Sequence, residues 1–144
     1  MVRYIDFEMI DDIALGASIL GTGGGGDPYL GSLIAKNALR HGKPVTLCNL
    51  DDVKDNELFI PCSTMGAPTV SVEKIISPRQ ILLAFETMEN YLAESASGTF
   101  SIEVGGINSL IPLVVAAAKG LPVIDCDAMG RAFPEAQMVT FFLD

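Results

Sequence analysis

TFSIEVGGINSLIPLVVAAAKGLPVID, residues 99–125, decides the fold class. TFSIEV (99–104) alternates apolar and polar residues as a half-buried strand does. Asn108–Lys119 is apolar at most positions, a helix closed by Gly120. LPVID (121–125) is a continuous apolar run, the pattern of a strand covered on both faces. The order strand, helix, strand predicts an α/β domain with helices laid on a mostly parallel sheet.

The same pattern extends upstream and downstream. A helix is expected over Pro78–Leu92, with Ser77 as its N-cap. PVTLCN (44–49) and ELFIPC (57–62) are expected strands joined by the polar turn DDVKDN. Asp27-Pro28 opens a helix over Pro28–His41, with Asp27 as N-cap and Pro28 at the first helical position. His41, followed by Gly42, falls at that helix's C-terminus, where the dipole favours it over a catalytic role. Met9–Leu20 starts with acids and places apolar residues at Met9, Ile10, Ile13, Ala14, Ala17 and Leu20, a helical spacing. MVTFFL (138–143) predicts a final strand. The sequence stops right after it, without a polar tail, as at a domain boundary inside a longer protein.

At 144 residues the sequence is the size of one domain. Apolar residues make up 49% and charged residues 19%, which excludes a disordered chain and predicts a covered face, a homo-oligomer or a further domain. A net charge of −9 argues against nucleic acid and against an anionic membrane surface as partners. The longest apolar stretch, Leu110–Ala118, falls well short of the roughly 20 residues that span a bilayer. The acidic N-terminus has no apolar signal region. Cys48, Cys62 and Cys126 are odd in number and lack C-x-x-C spacing, so they read as reduced thiols of a cytoplasmic protein. A single histidine excludes multi-histidine zinc sites and makes a Ser-His-Asp triad improbable.

Ligands of open α/β sheets bind at the carboxyl ends of the strands. Three loops rich in glycine and small polar residues fall there: STMGAP (63–68), GGINSLIP (105–112) and CDAMGRAFPE (126–135). With GTGGGGDP (21–28) they would make one small-molecule pocket. Gly21, Gly23 and Gly26 also match the dinucleotide pattern G-x-G-x-x-G, with Asp51 or Asp52 at the distance of a ribose-binding acid. That reading requires a strand before Gly21, and the window there is more helical. A Walker A loop is excluded, because no Gly-Lys-Ser/Thr follows.

Three kinds of reactive group remain. Cys62 and Cys126 follow strands, but Cys126 lies between Asp125 and Asp127, which would raise its pKa, so Cys62 is the better thiol. The alternative for both is a small buried hydrophobe. Glu103, Asp125, Asp127 and Glu135 fall near strand ends, where two or three could hold a divalent metal or act as general base. Equally, Asp125 and Asp127 could cap their own loop. Arg131 could pair with one of them or hold an anionic substrate.

Taken together, ILGTGGGGDPYLG, PCSTMGAPTVSVEK, IEVGGINSLIPL and DCDAMGRAFPEAQMVTF resemble, in order, the amino-terminal domain of the S-methyl thiohydantoin desulfurase-like family. The resemblance covers nearly the whole chain. It implies a three-layer α/β/α sandwich with a mostly parallel sheet, and a second, β-rich carboxy-terminal domain. For the best-understood branch it implies hydrolytic removal of a methylthio group from a thiohydantoin ring. The family-like positions are Gly23 to Asp27, Met65-Gly66-Ala67-Pro68, Glu103 to Ser109 and Asp125 to Pro134. Cys62-Ser63-Thr64 is not among them, so a role for Cys62 rests on its position alone.

The expected site therefore has Glu103, Asp127 and Cys62 as catalytic candidates. The expected substrate contacts are Gly23, Gly24, Gly25, Gly26, Asp27, Met65, Gly66, Gly105, Gly106, Asn108 and Arg131. The glycines would form a backbone-lined wall, and the helix from Pro28 would aim its N-terminus at a carbonyl or anionic group. The expected activity is hydrolysis or desulfurisation at C=N or C–S of a hydantoin-like ring. The alternative is a non-catalytic nucleotide-binding or subunit-contact domain.

Overall fold

Ser77 begins its helix with a full capping box. Its hydroxyl accepts from the Arg79 amide at 3.3 Å, and the Gln80 side chain accepts from the Ser77 amide at 3.1 Å. Two backbone donors that a bare helix end would leave unpaired are satisfied this way. Ser77→Ala should lower stability by about 1 kcal/mol, measured by urea denaturation, and leave ligand binding at the site described below unchanged.

A computed structural model describes residues 3–40 and 43–143, so the expectation for His41 and Gly42 lies outside the described residues. In chain order the elements are β1 (Arg3–Ile5), α1 (Ile10–Gly21), α2 (Pro28–Leu39), β2 (Val45–Asn49), β3 (Phe59–Cys62), α3 (Pro68–Glu73), α4 (Pro78–Leu92), β4 (Gly98–Ser101), α5 (Ile111–Lys119) and β5 (Val123–Asp125). The five strands form one sheet in the order β1-β2-β5-β4-β3. β1 runs antiparallel to β2, and every other neighbouring pair is parallel. The protein is a mixed α/β fold whose mostly parallel sheet is flanked by helices.

The register puts Ile5, Val45, Leu47, Val123, Thr99 and Ile60 on one face of the sheet. Against that face lies α5, buried at every position from Ile111 to Ala116. A helix apolar all round must be covered all round. Here α2 and α4 cover the side of α5 turned from the sheet, through Ile34, Ala35, Leu39, Ile81 and Phe85. Each such Ile, Leu or Phe contributes on the order of 1.5–3 kcal/mol when fully buried. Gly120, at φ +70°, ends α5 in the left-handed conformation expected of a glycine cap.

Two expectations need correction. TFSIEV leaves the sheet at Ser101, because the Ser101 hydroxyl donates to the carbonyls of Glu103 and Asn108 and turns the chain. MVTFFL is not a strand. It forms parts of two 3-10 turns, Ala136–Met138 and Thr140–Phe142. Strand propensity in such aromatic and β-branched stretches reflects packing on a pleated surface rather than a backbone preference. Here the packing is met without pairing. Val139 is buried, the Thr140 amide donates to the Ala128 carbonyl at 2.8 Å, and Phe141 packs edge-on against Phe100 of β4, with ring centroids 5.9 Å apart. Among the described residues no helix is long and apolar enough to cross a membrane.

Candidate functional site

Two glycines of residues 21–26, Gly21 and Gly25, face other glycines. A β-carbon on Gly21 would stand 2.9 Å from the Gly106 nitrogen, and one on Gly25 would stand 2.4 Å from the Gly105 oxygen. One on Gly106 would stand 2.4 Å from the carbonyl of Gly25. The two loops are thus packed backbone to backbone, and the Ile107 amide donates to the Gly25 carbonyl at 2.9 Å. Gly25 (φ +77°) and Gly106 (φ +59°) also use a conformation that other residues adopt at a cost. The run exists mainly so that the α1–α2 connection can seat on the loop that follows β4.

This corrects the dinucleotide reading. The element before Gly21 is the helix α1, not a strand, so the required context is missing. The N-terminus of α2 is already occupied, since the Tyr29 amide donates to the Asp27 carboxylate at 2.9 Å. Neither Asp27 nor Pro28 reaches the cavity described next.

Seating the two loops leaves a cavity of about 460 Å³, a size suited to a small ring. Gly25, Gly26, Met65, Gly66, Glu103 and Asn108 line it, so these six expected residues are brought together. Gly23, Gly24, Gly105, Gly106, Asp127, Arg131 and Cys62 do not line it. The lining also includes Ser63, Thr64 and Phe133, from two loops expected to form the pocket though not singled out in them, and Ser71, Lys74 and Gln80, which lie outside those loops. Most of these come from α3 and its flanks, a short helix that the hydropathy pattern leaves unmarked. The only local signal for it was Pro68 at its first position.

Glu103 is 3% exposed. One carboxylate oxygen accepts from the Gly105 amide at 2.5 Å, and the other from the Asn108 side-chain nitrogen at 2.7 Å. Asn108 is fixed in turn. Its oxygen accepts from the Thr64 amide at 2.7 Å and the Thr64 hydroxyl at 2.8 Å, and its nitrogen also donates to the Thr64 carbonyl at 3.1 Å. The loops after β3 and β4 are therefore joined through one side chain, and the carboxylate's partners are neutral donors.

The other carboxylates are spent elsewhere. Asp127 caps its own turn, accepting from the Gly130 amide at 2.6 Å and the Val104 amide at 3.2 Å. Asp125 pairs with Arg3 at 2.8 Å, and Glu135 accepts from Gln137. Arg131 is exposed and donates to the Ala132 carbonyl at 3.3 Å, without an ion pair among the described residues. No three His, Cys, Asp or Glu side chains gather as a metal-ligating group among the described residues, and the amide donors on Glu103 do not suit a cation.

Cys62 has the surroundings of a buried hydrophobe. Burial, the largest cause, pushes its thiol up to about 11. The Thr99 hydroxyl donates to the Ile60 carbonyl at 2.8 Å, so the Cys62 thiol, 3.1 Å away, must be the donor to Thr99. A thiol held as donor is protonated and a poor nucleophile. Cys126 is also raised, first by burial and then by the charges of Asp127 and Asp125. The folded pKa of Cys62 lies above the ordinary 9.0, so its stabilising contribution is intact below pH 9 and is lost as pH rises through 11. Between those limits the loss should approach about 2–3 kcal/mol, at 1.36 kcal/mol per unit. Urea denaturation at pH 8 and pH 10.5 should show this alkaline loss in the wild type and less of it in Cys62→Ala.

A protein-family model described as "S-Me-THD-like, N-terminal domain" matches residues 8–144. The chain belongs to this family. The fold of this S-Me-THD-like domain is found in the X-ray crystal structure of a protein from Chromobacterium violaceum, with a TM-score of 0.78 over 96% of the present chain. The two are 24% identical, and the S-Me-THD-like domain spans 38% of that protein's length. No curated protein matches the sequence.

Proposed function

We propose that the cavity is the substrate site of a hydrolase-type domain that acts on a hydantoin-like ring. The observation that supports this most is Glu103, a buried carboxylate on the cavity wall held only by neutral amide donors. Burying such a group is costly, and its place on the cavity wall supports reading the cavity as a working site. In the proposed reaction water attacks the ring carbon that bears the methylthio group. Oxygen from water becomes the ring carbonyl, the C–S bond breaks, one proton leaves with sulfur as methanethiol, and the other stays on the ring nitrogen. Glu103 serves as general base towards the water or as acceptor for a ring N–H. Backbone amides along the Gly25–Gly26 wall supply donors for a ring oxygen. The test is methanethiol release from an S-methyl thiohydantoin by the purified protein. A wild-type rate equal to the uncatalysed one would reject the reading.

A second reading, contact with another subunit or a β-rich further domain, draws on α1. Leu15 and Ile19 lie one turn apart on that helix and are 64% and 67% exposed, an apolar pair that a contacting surface could cover. A covered second sheet face would complete the three-layer sandwich. Sedimentation showing only monomer would remove the homo-oligomer form of this reading. Three free cysteines support a reducing, cytoplasmic setting.

A further inference from the structure

We propose that Lys74 is the anion anchor of the cavity, so that the site selects rings carrying a carboxylate or similar anionic arm. This deepens the ring-hydrolase reading and rests on it. Among the described residues Lys74 is the only cation that lines the cavity. The four ion pairs among the described residues engage Arg3, Lys36, Lys54 and Lys119, and none engages Lys74. It stands immediately after α3, where its amide closes the helix onto the Val70 carbonyl at 2.8 Å. The residue is exposed at the cavity's edge, and its side chain makes no ion pair among the described residues.

The rest of the lining makes this cation selective. The only other charge on the cavity wall is Glu103, which the Asn108 and Gly105 donors hold on the β4 side. One wall therefore repels an anion and the other attracts it. A ring with one acidic arm has a single favourable orientation, with the arm towards Lys74 and a ring N–H towards Glu103. Ser71 and Gln80 on the Lys74 side add neutral donors for a carboxylate. A protein of net charge −9 repels anions at long range, so an unpaired lysine in its cavity offsets that repulsion where it matters.

The test is titration calorimetry with three probes: a hydantoin with a 5-acetate arm, the same ring with a neutral 5-acetamide arm, and succinate. Each is measured with wild type, Lys74→Arg and Lys74→Met. The acid-armed ring should bind wild type about tenfold or more tightly than the amide-armed ring, the scale of one hydrogen bond to a charged group. Lys74→Met should equalise the two rings, Lys74→Arg should keep the preference, and added salt should weaken it. In turnover, Lys74→Met should raise KM for the acid-armed substrate by a larger factor than for the neutral one, and Lys74→Arg should restore the difference.

The failures separate. Equal binding of both rings by wild type overturns the anchor and leaves the ring reading standing. Binding of succinate that depends on Lys74, with neither ring bound, supports the anchor and rejects the ring reading. Binding of none of the three overturns both.

Discussion

Glu103→Gln should lower turnover of a hydantoin-like substrate by 10²- to 10⁴-fold, the usual range for loss of a general base. It should also lower stability. An amide NH2 in place of one carboxylate oxygen would face either the Gly105 amide or the Asn108 side-chain nitrogen, both donors. Asn108 cannot turn over to relieve this without breaking its three bonds to Thr64. An unmade bond at so buried a site costs about 1–3 kcal/mol. Steady-state kinetics together with thermal unfolding separates the two effects. A Glu103→Gln protein with full turnover would end the assignment of Glu103 to the chemistry. Asp127→Asn provides the contrast. Asp127 lies outside the cavity and caps a turn, so the variant should lose stability and retain kcat.

Gly25→Ala and Gly106→Ala should each destabilise the fold by more than about 4 kcal/mol, in the class of exceptional single substitutions. Each would put a β-carbon 2.4 Å from backbone atoms of the facing loop, at a φ that already disfavours alanine. Since whole domains are stable by only about 5–15 kcal/mol, either variant should unfold on the order of 15 °C lower or fail to accumulate. Gly23→Ala is the control. Gly23 also has positive φ, +92°, yet nothing lies within 4 Å of an added β-carbon. Its cost should be the conformational strain alone, about 1–2 kcal/mol. Equal unfolding temperatures for the Gly25 and Gly23 variants would refute the interlock of the two loops.

What the sequence shows of this fold is what local chemistry controls. Asp27-Pro28 and Ser77-Pro78 mark the starts of α2 and α4 because an N-cap and a first-position proline act within one turn. Gly120 marks the end of α5 for the same reason. β1 has only three residues, and it exists through its pairing with β2, about 40 positions away. No window of the chain contains that information. MVTFFL misleads because Val139 is buried and Phe141 meets Phe100 edge-on without any strand pairing, while Phe142 and Leu143 stay exposed. The site divides in the same way. Glu103 and Asn108 stand out because they follow a strand within a glycine-rich loop. Lys74 does not, since it lies beyond the loops at the strand ends and only the folded chain carries α3 to the cavity. The glycine run was conspicuous, but its partner was not: close approach of Gly25 to Gly105 and Gly106 is a tertiary fact.

That glycine contact divides the cavity into a part that sequence drift can change and a part that it cannot. On one side, Gly25 lines the cavity and is backed by Gly105 and Gly106, and none of the three has room for a side chain, so that wall is fixed by the fold. On the other, Met65, Val70, Ser71 and Lys74 project from α3 and its flanks, outside both hydrophobic clusters. Members of the family that take different substrates should therefore share the glycine wall and differ along residues 65–74. A library confined to that segment would alter ligand choice with the fewest casualties to folding.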